Sequence, residues 1–100
     1  HGFARDRVFE VESQTDETIT FLLKSDTDSL KVYPFDFEFR IKYEVTDNQL
    51  STSYIVFNPS NKDIYFSVGG HPAFAVPIVS QNTYEDYFLE FSANETLKRY

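Results

Sequence analysis

The chain has 100 residues, of which 41% are apolar and 25% charged, a composition typical of a soluble globular domain rather than a disordered segment. Its formal net charge of -7 argues against nucleic acid as a partner, and no run reaches the roughly 18 apolar residues of a membrane-spanning helix, so no membrane is expected either. It contains no cysteine, which excludes disulfides and thiolate metal sites within these residues and fits a cytoplasmic location.

The first third of the chain predicts two strands and almost no helix. Alternating apolar residues indicate strands over residues 7–12 and 18–24, separated by a polar link over 13–17. Residues 25–30 begin with side chains that commonly cap helices, but Pro34 follows too soon for a regular helix to build. At most a single helical turn is expected there.

The strongest periodic signal lies over residues 37–46, where apolar and charged side chains alternate strictly, a pattern typical of a half-buried strand. Asp47-Asn48 supplies turn residues, and residues 49–58 are predicted to return as the antiparallel partner. Two more strands are predicted over residues 63–68 and 86–91. About six short strands joined by turns predict an all-β fold, an antiparallel β-sandwich or barrel.

Several predicted strands carry bulky side chains on both faces; Ile55 and Phe57, for example, oppose Tyr54 and Val56. Such a sheet is expected to be covered on both sides, and alone it would expose an unusually large apolar patch. Together with a start that lacks methionine and an end without a closing signal, this predicts that residues 1–100 are part of a domain truncated at both ends. The alternative is that the aromatic strands form one tight core.

One motif suggests chemistry: Gly69-Gly70-His71-Pro72-Ala73-Phe74, which follows an apolar run. The glycines permit a tight approach, including one with positive φ, and Pro72 biases His71 toward extended backbone. An imidazole with an unperturbed pKa of about 6.5 suits a general acid or base near neutrality. The alternative interpretation is a simple turn whose histidine satisfies a backbone group.

Several short motifs follow one another along the chain: His1-Gly2-Phe3-Ala4-Arg5, Tyr33-Pro34-Phe35, Phe37 to Tyr43, Leu50 to Tyr54, Asn58, and Gly69 to Phe74. Their order and spacing resemble the aldose 1-epimerase (galactose mutarotase-like) family nearly end to end, and most closely its bacterial HGFAR-type members.

The resemblance implies a larger galactose mutarotase-like β-sandwich (supersandwich), of which this chain is a piece, and a reaction that needs neither a cofactor nor a metal. It implies that His71 is the general acid toward the ring oxygen of a sugar and that His1 and Arg5 contact the substrate. The substrate would be an aldohexose or its phosphate. The general base, a glutamate in the family, is expected beyond Tyr100, and the oligomeric state is left open.

Two other functions compete with this interpretation. A carbohydrate-binding module on the same scaffold would stack aromatics such as Phe3, Phe74 or Tyr84 on a sugar without proton transfer. A metal site built from His1, His71 and a carboxylate such as Asp6 has little support, because the histidines show no ligand spacing.

Overall fold

Four antiparallel strands form one sheet in the sequential order β1-β2-β3-β4. The computed structural model describes residues 2–94 and 96, and the chain divides into two units, His1–Gly69 and Gly70–Tyr100, with all four strands in the first. The strands are β1 (Glu10–Gln14), β2 (Thr18–Lys24), β3 (Glu38–Thr46) and β4 (Gln49–Phe57). The prediction of an all-β antiparallel fold is confirmed.

The β3–β4 hairpin matches its prediction. Thr46 pairs with Gln49, so Asp47 and Asn48 form the two-residue loop. Asp47 has a φ of 54°, in the left-handed region that aspartate tolerates better than most residues because its short side chain bonds locally. The paired strands then place their alternating apolar residues on a common face.

The strand register gathers the apolar side chains of β2, β3 and β4 on one face of the sheet. Their ring pairs include Phe39 stacked on Tyr54 at 6.3 Å and Phe21 edge-on to Tyr43 at 6.2 Å. Apolar contact across neighbouring strands is the main stabilisation of such a sheet. The cross-strand partners on this face are Ile19 with Tyr43, Phe21 with Ile41, Leu23 with Phe39, Ile41 with Tyr54, and Phe39 with Val56.

The sheet leaves apolar side chains open on both of its faces. Val45 and Leu50 are 50% and 57% exposed on one face, and Ile55 and Phe57 are 44% and 52% exposed on the other. Among the described residues only Leu22, Leu23 and Phe37 form a buried apolar core. The alternative of one tight core is therefore wrong for this part of the chain.

The first strand lies later than predicted. The strand expected over residues 7–12 begins at Glu10 and continues to Gln14, so two residues of the expected polar link belong to β1. The reason is strand pairing: Ser13 and Gln14 lie opposite Thr20 and Ile19 in β2, after a bulge between Val11 and Ser13. Backbone partners decide strand ends more than side-chain polarity does.

The strands predicted over residues 63–68 and 86–91 are absent from the structure. Residues 63–68 form no regular element, and residues 84–86 form a 3₁₀ helix, Tyr84–Asp86, after which the chain is irregular. A strand requires a neighbour to accept and donate its backbone hydrogen bonds, and no described segment lies beside either run in a ladder. Side-chain alternation alone does not provide one.

The predicted single helical turn is confirmed as α1 (Ser29–Val32), which ends before Pro34. Its start is fixed by Asp26, whose carboxylate accepts the Ser29 backbone N–H at 2.6 Å. That bond, together with the nearby Arg7, lowers the pKa of Asp26 against the opposing effect of desolvation. Within residues 2–94 and 96, no helix is long and apolar enough to cross a membrane.

A charged network joins three strands on the face opposite the aromatic pairs. The Arg40 guanidinium donates from Nε and Nη2 to the Glu12 carboxylate at 2.7 Å, and from Nη1 to Glu38 at 2.8 Å. Lys24 lies 3.6 Å from the other oxygen of Glu38. Because the Arg40–Glu12 pair is bidentate and only partly exposed, it ties β1 to β3 more firmly than an ordinary surface ion pair.

This network predicts a specific acid sensitivity. The hydrogen bonds from Arg40 lower the pKa of Glu12 from its ordinary 4.5, against a smaller opposing effect of desolvation. Because the folded-state pKa is the lower one, the Glu12 carboxylate stabilises the fold above pH 4.5, and this contribution is lost as the pH falls through the folded-state value. Glu12→Gln should therefore lower the urea midpoint of the full-length protein at about pH 7. At about pH 3 the difference in urea midpoint between Glu12→Gln and wild type should be smaller.

The matched control is Glu90→Gln, which removes an exposed carboxylate outside the network. It is expected to leave the midpoint near wild type at both pH values. A difference between Glu12→Gln and wild type that stays constant from neutral to acid pH would contradict the assignment.

Candidate functional site

His71 lies in the second unit, in a stretch with neither helix nor strand, and it is exposed to solvent. An exposed imidazole can reach a ligand, whereas one packed inward cannot. The glycines before His71 do not adopt the positive φ that the sequence suggested, since none of the described glycines has one. A Cβ on Gly69 would also meet no atom within 4 Å among the described residues, so a close contact does not require glycine at that position either.

The unit that carries His71 is organised around the hydroxyl of Tyr87. That oxygen accepts hydrogen bonds from the backbone N–H groups of Ile78 at 2.9 Å and Val79 at 3.4 Å, and from the Asn82 amide at 3.3 Å. Desolvation raises the pKa of Tyr87, but the three donors outweigh it and the net direction is downward. One side chain thus fixes the loop downstream of the histidine motif.

A second local device stabilises the 3₁₀ helix Tyr84–Asp86. The Asp86 carboxylate accepts the backbone N–H of Thr83 at 2.7 Å and also its hydroxyl at 3.1 Å. These bonds lower the pKa of Asp86. Because the carboxylate is engaged in capping, we assign it no catalytic role.

Arg5 lies in the first unit, in the 3₁₀ helix Phe3–Asp6, which we call the Arg5 turn. Its side chain is 67% exposed, and its Nε is 3.6 Å from a carboxylate oxygen of Asp6. An exposed ion pair of this kind is weak, because both partners are well solvated. The Arg5 guanidinium is therefore accessible and only loosely engaged.

An aromatic cluster, which sequence reasoning missed, anchors the Arg5 turn. The Phe3 ring lies 5.6 Å from that of Tyr33 and 5.9 Å from that of Phe37, which is buried. Aromatic pairs at these distances stabilise beyond the area they bury. The sequence holds a signal for part of this cluster, because Tyr33, Phe35 and Phe37 already alternate ahead of the strict pattern that predicts β3. We call this group the Tyr33 cluster; its members are Phe3, Tyr33, Phe35, Phe37 and Tyr65.

The remaining candidate residues differ in whether the structure describes them and in whether their side chains are accessible. His1 lies outside the described residues, so its substrate contact and the metal alternative that uses it stay untested predictions. Phe3, named as a possible sugar platform, has its ring engaged in the Tyr33 cluster. Phe74 and Tyr84, at 65% and 74% exposed, present open rings in the unit of His71.

Comparison with known proteins gives consistent results. The family model for aldose 1-epimerase matches residues 1–100. Two forms of the protein LacX of Lactococcus lactis subsp. lactis, plasmid and chromosomal, are each 36% identical over 97 residues, which is 96% of this chain and 32% of each relative. The chain therefore spans about a third of the length of the curated relatives it matches.

Two solved structures share this fold. One, described as a galactose mutarotase related enzyme from Lactobacillus acidophilus, has 48% identity and a TM-score of 0.75 over 85% of this chain and 28% of its own. The other, a galactose mutarotase-like protein from Lactobacillus casei ATCC 334, has 36% identity and a TM-score of 0.59 over 63% of this chain and 21% of its own. The sheet β1–β4 is thus part of a galactose mutarotase-like fold.

Proposed function

Because this chain belongs to the aldose 1-epimerase family, we propose that the full-length protein is a mutarotase, an isomerase that interconverts the α and β anomers of a hexose or hexose phosphate without a cofactor. The observation that carries the proposal is the family match over all 100 residues, which includes the motif around an exposed His71.

The reaction defines what the site must do. Exchange of anomers requires removal of the proton on the C1 hydroxyl while the ring oxygen gains one, so that the C1–O5 bond breaks and an open-chain aldehyde forms. Rotation about C1–C2 then presents the other face of the aldehyde, and closure reverses both proton transfers. An acid and a base must therefore stand on opposite sides of the anomeric centre, and each is typically worth about 10²–10⁴-fold in rate.

In this proposal His71 protonates the ring oxygen as the ring opens and takes the proton back as it closes. An imidazole suits both directions because it exchanges protons near neutral pH. Arg5 and His1 are assigned to binding hydroxyl or phosphate oxygens of the sugar. The base is a glutamate outside these residues; Glu85 and Glu90, both exposed, are not assigned to it.

The proposal is tested with the full-length protein and freshly dissolved α-D-glucose, α-D-galactose and their 6-phosphates. Polarimetry, or exchange spectroscopy by NMR, should show at least one sugar reaching anomeric equilibrium much faster than in buffer. Bovine serum albumin at equal concentration is the control for non-specific catalysis. If no sugar in this set equilibrates faster than in buffer, the mutarotase proposal fails.

The exposed rings of Phe74 and Tyr84 support one alternative, a carbohydrate-binding module without turnover. Calorimetric titration with the same sugars separates the two functions. Sugar binding without any acceleration of anomer exchange would favour the binding module.

We also propose a cytoplasmic location, which stays a prediction from the sequence.

A further inference from the structure

We propose that Tyr33 is a positioning residue for the Arg5 turn: its ring holds Phe3, its hydroxyl is fixed to the backbone at Tyr65, and the Arg5 guanidinium is thereby held where it binds substrate. This inference rests on the proposed function, because it gives the Tyr33 cluster a role in substrate binding.

The Tyr33 ring is the central contact of the cluster. It lies 5.6 Å from the Phe3 ring at an interplanar angle of 31°, and 5.6 Å from the Phe37 ring at 66°. Phe37 is 5% exposed and contacts Phe3 itself at 5.9 Å. Phe3, the first residue of the Arg5 turn, therefore packs against the buried ring of Phe37 and against the ring of Tyr33.

Three restraints fix Tyr33. Its backbone N–H donates to the carbonyl of Ser29 at 2.8 Å, which closes α1. Its ring packs on Phe37, and its hydroxyl donates to the backbone carbonyl of Tyr65 at 2.9 Å. Tyr65 lies upstream of His71 in the segment that leads to it. The hydroxyl bond thus ties the support of the Arg5 turn to Tyr65 within the same unit.

The Arg5 turn has few other ties. Within the part of the chain that the structure describes, no side chain caps its first residue, and Arg5 pairs only with the adjacent Asp6, which moves with it. Next to the turn, the Nη1 of Arg7 lies 3.8 Å from the Asp26 carboxylate. The position of the turn therefore depends chiefly on Phe3, and the position of Phe3 depends on Tyr33.

The test uses Tyr33→Phe in the full-length protein, which keeps the ring and removes only the hydroxyl bond. We expect kcat/KM for anomer exchange to fall about tenfold, mainly through a higher KM, because a displaced Arg5 weakens substrate binding more than proton transfer. The matched control is Tyr43→Phe, which also removes one hydroxyl, but from a tyrosine of β3 that lies outside the Tyr33 cluster. It should behave as wild type.

A double-mutant cycle separates positioning from general destabilisation. If Tyr33 acts through Arg5, then Tyr33→Phe should have no further effect on kcat/KM in a protein that already carries Arg5→Ala. Additive losses, an unchanged Tyr33→Phe enzyme, or an Arg5→Ala enzyme with wild-type KM would each overturn the inference. An inactive wild-type protein would instead refute the proposed function, so the two failures are distinguishable.

Discussion

Replacing His71 with asparagine is expected to slow anomer exchange by about 10²–10⁴-fold, with a much smaller change in KM. Asparagine retains a polar side chain of similar reach but cannot pass a proton to the ring oxygen. Since His71 is exposed, the substitution should leave the fold intact. Polarimetry on the full-length protein, at sugar concentrations above and below KM, measures both parameters.

The control for this experiment is Gln81→Asn, a conservative change at another exposed position of the same unit. It should keep the wild-type rate, and both variants should share the wild-type melting temperature. A His71→Asn protein that equilibrates sugars at the wild-type rate would remove the proposed acid from the mechanism.

Truncation of Phe37 to alanine is expected to lower the free energy of unfolding by about 3–5 kcal/mol, the usual cost of removing a buried aromatic ring. Phe37 is 5% exposed and contacts both Phe3 and Tyr33. Its backbone carbonyl also accepts the N–H of Ser25 at 3.0 Å, which fixes the entry to β3. Urea unfolding of the full-length protein, followed by circular dichroism, measures the change.

Phe37→Leu is the matched variant, because leucine keeps much of the ring volume while losing the aromatic contacts. It should cost clearly less than Phe37→Ala, since the cavity it leaves is smaller. If alanine at this position costs less than about 1 kcal/mol, Phe37 is not a core residue of the intact protein.

The parts of the fold that sequence predicted well are those fixed by local pattern. Strict alternation over 37–46, followed by Asp47-Asn48, specifies both strands of a hairpin and the loop between them, because partner and turn are adjacent in the chain. The single turn of α1 follows similarly from capping residues close to Pro34.

The failures concern features that depend on distant partners. Residues 63–68 alternate as a strand does, yet they have no neighbouring ladder in the structure. β1 extends to Gln14 because Ile19 and Thr20 are there to pair with it. No local signal in the sequence identifies such partners.

The same division applies to the candidate site. His71 was found because glycine and proline flank it in a recognisable motif, and Arg5 because of a family resemblance. The role of Phe3 as an anchor was missed, since its contact with Tyr33 joins segments that are far apart in the chain. The assignments of His71, Arg5 and His1 to roles in catalysis and binding remain predictions.

The most direct test of the central claim is a crystal structure of the full-length protein with a bound aldohexose or its 6-phosphate. The account predicts a His71 imidazole nitrogen within hydrogen-bonding distance, about 2.6–3.2 Å, of the sugar ring oxygen, with a carboxylate on the opposite side of C1. A bound sugar whose ring oxygen lies far from His71, or contacts another acid instead, would contradict it.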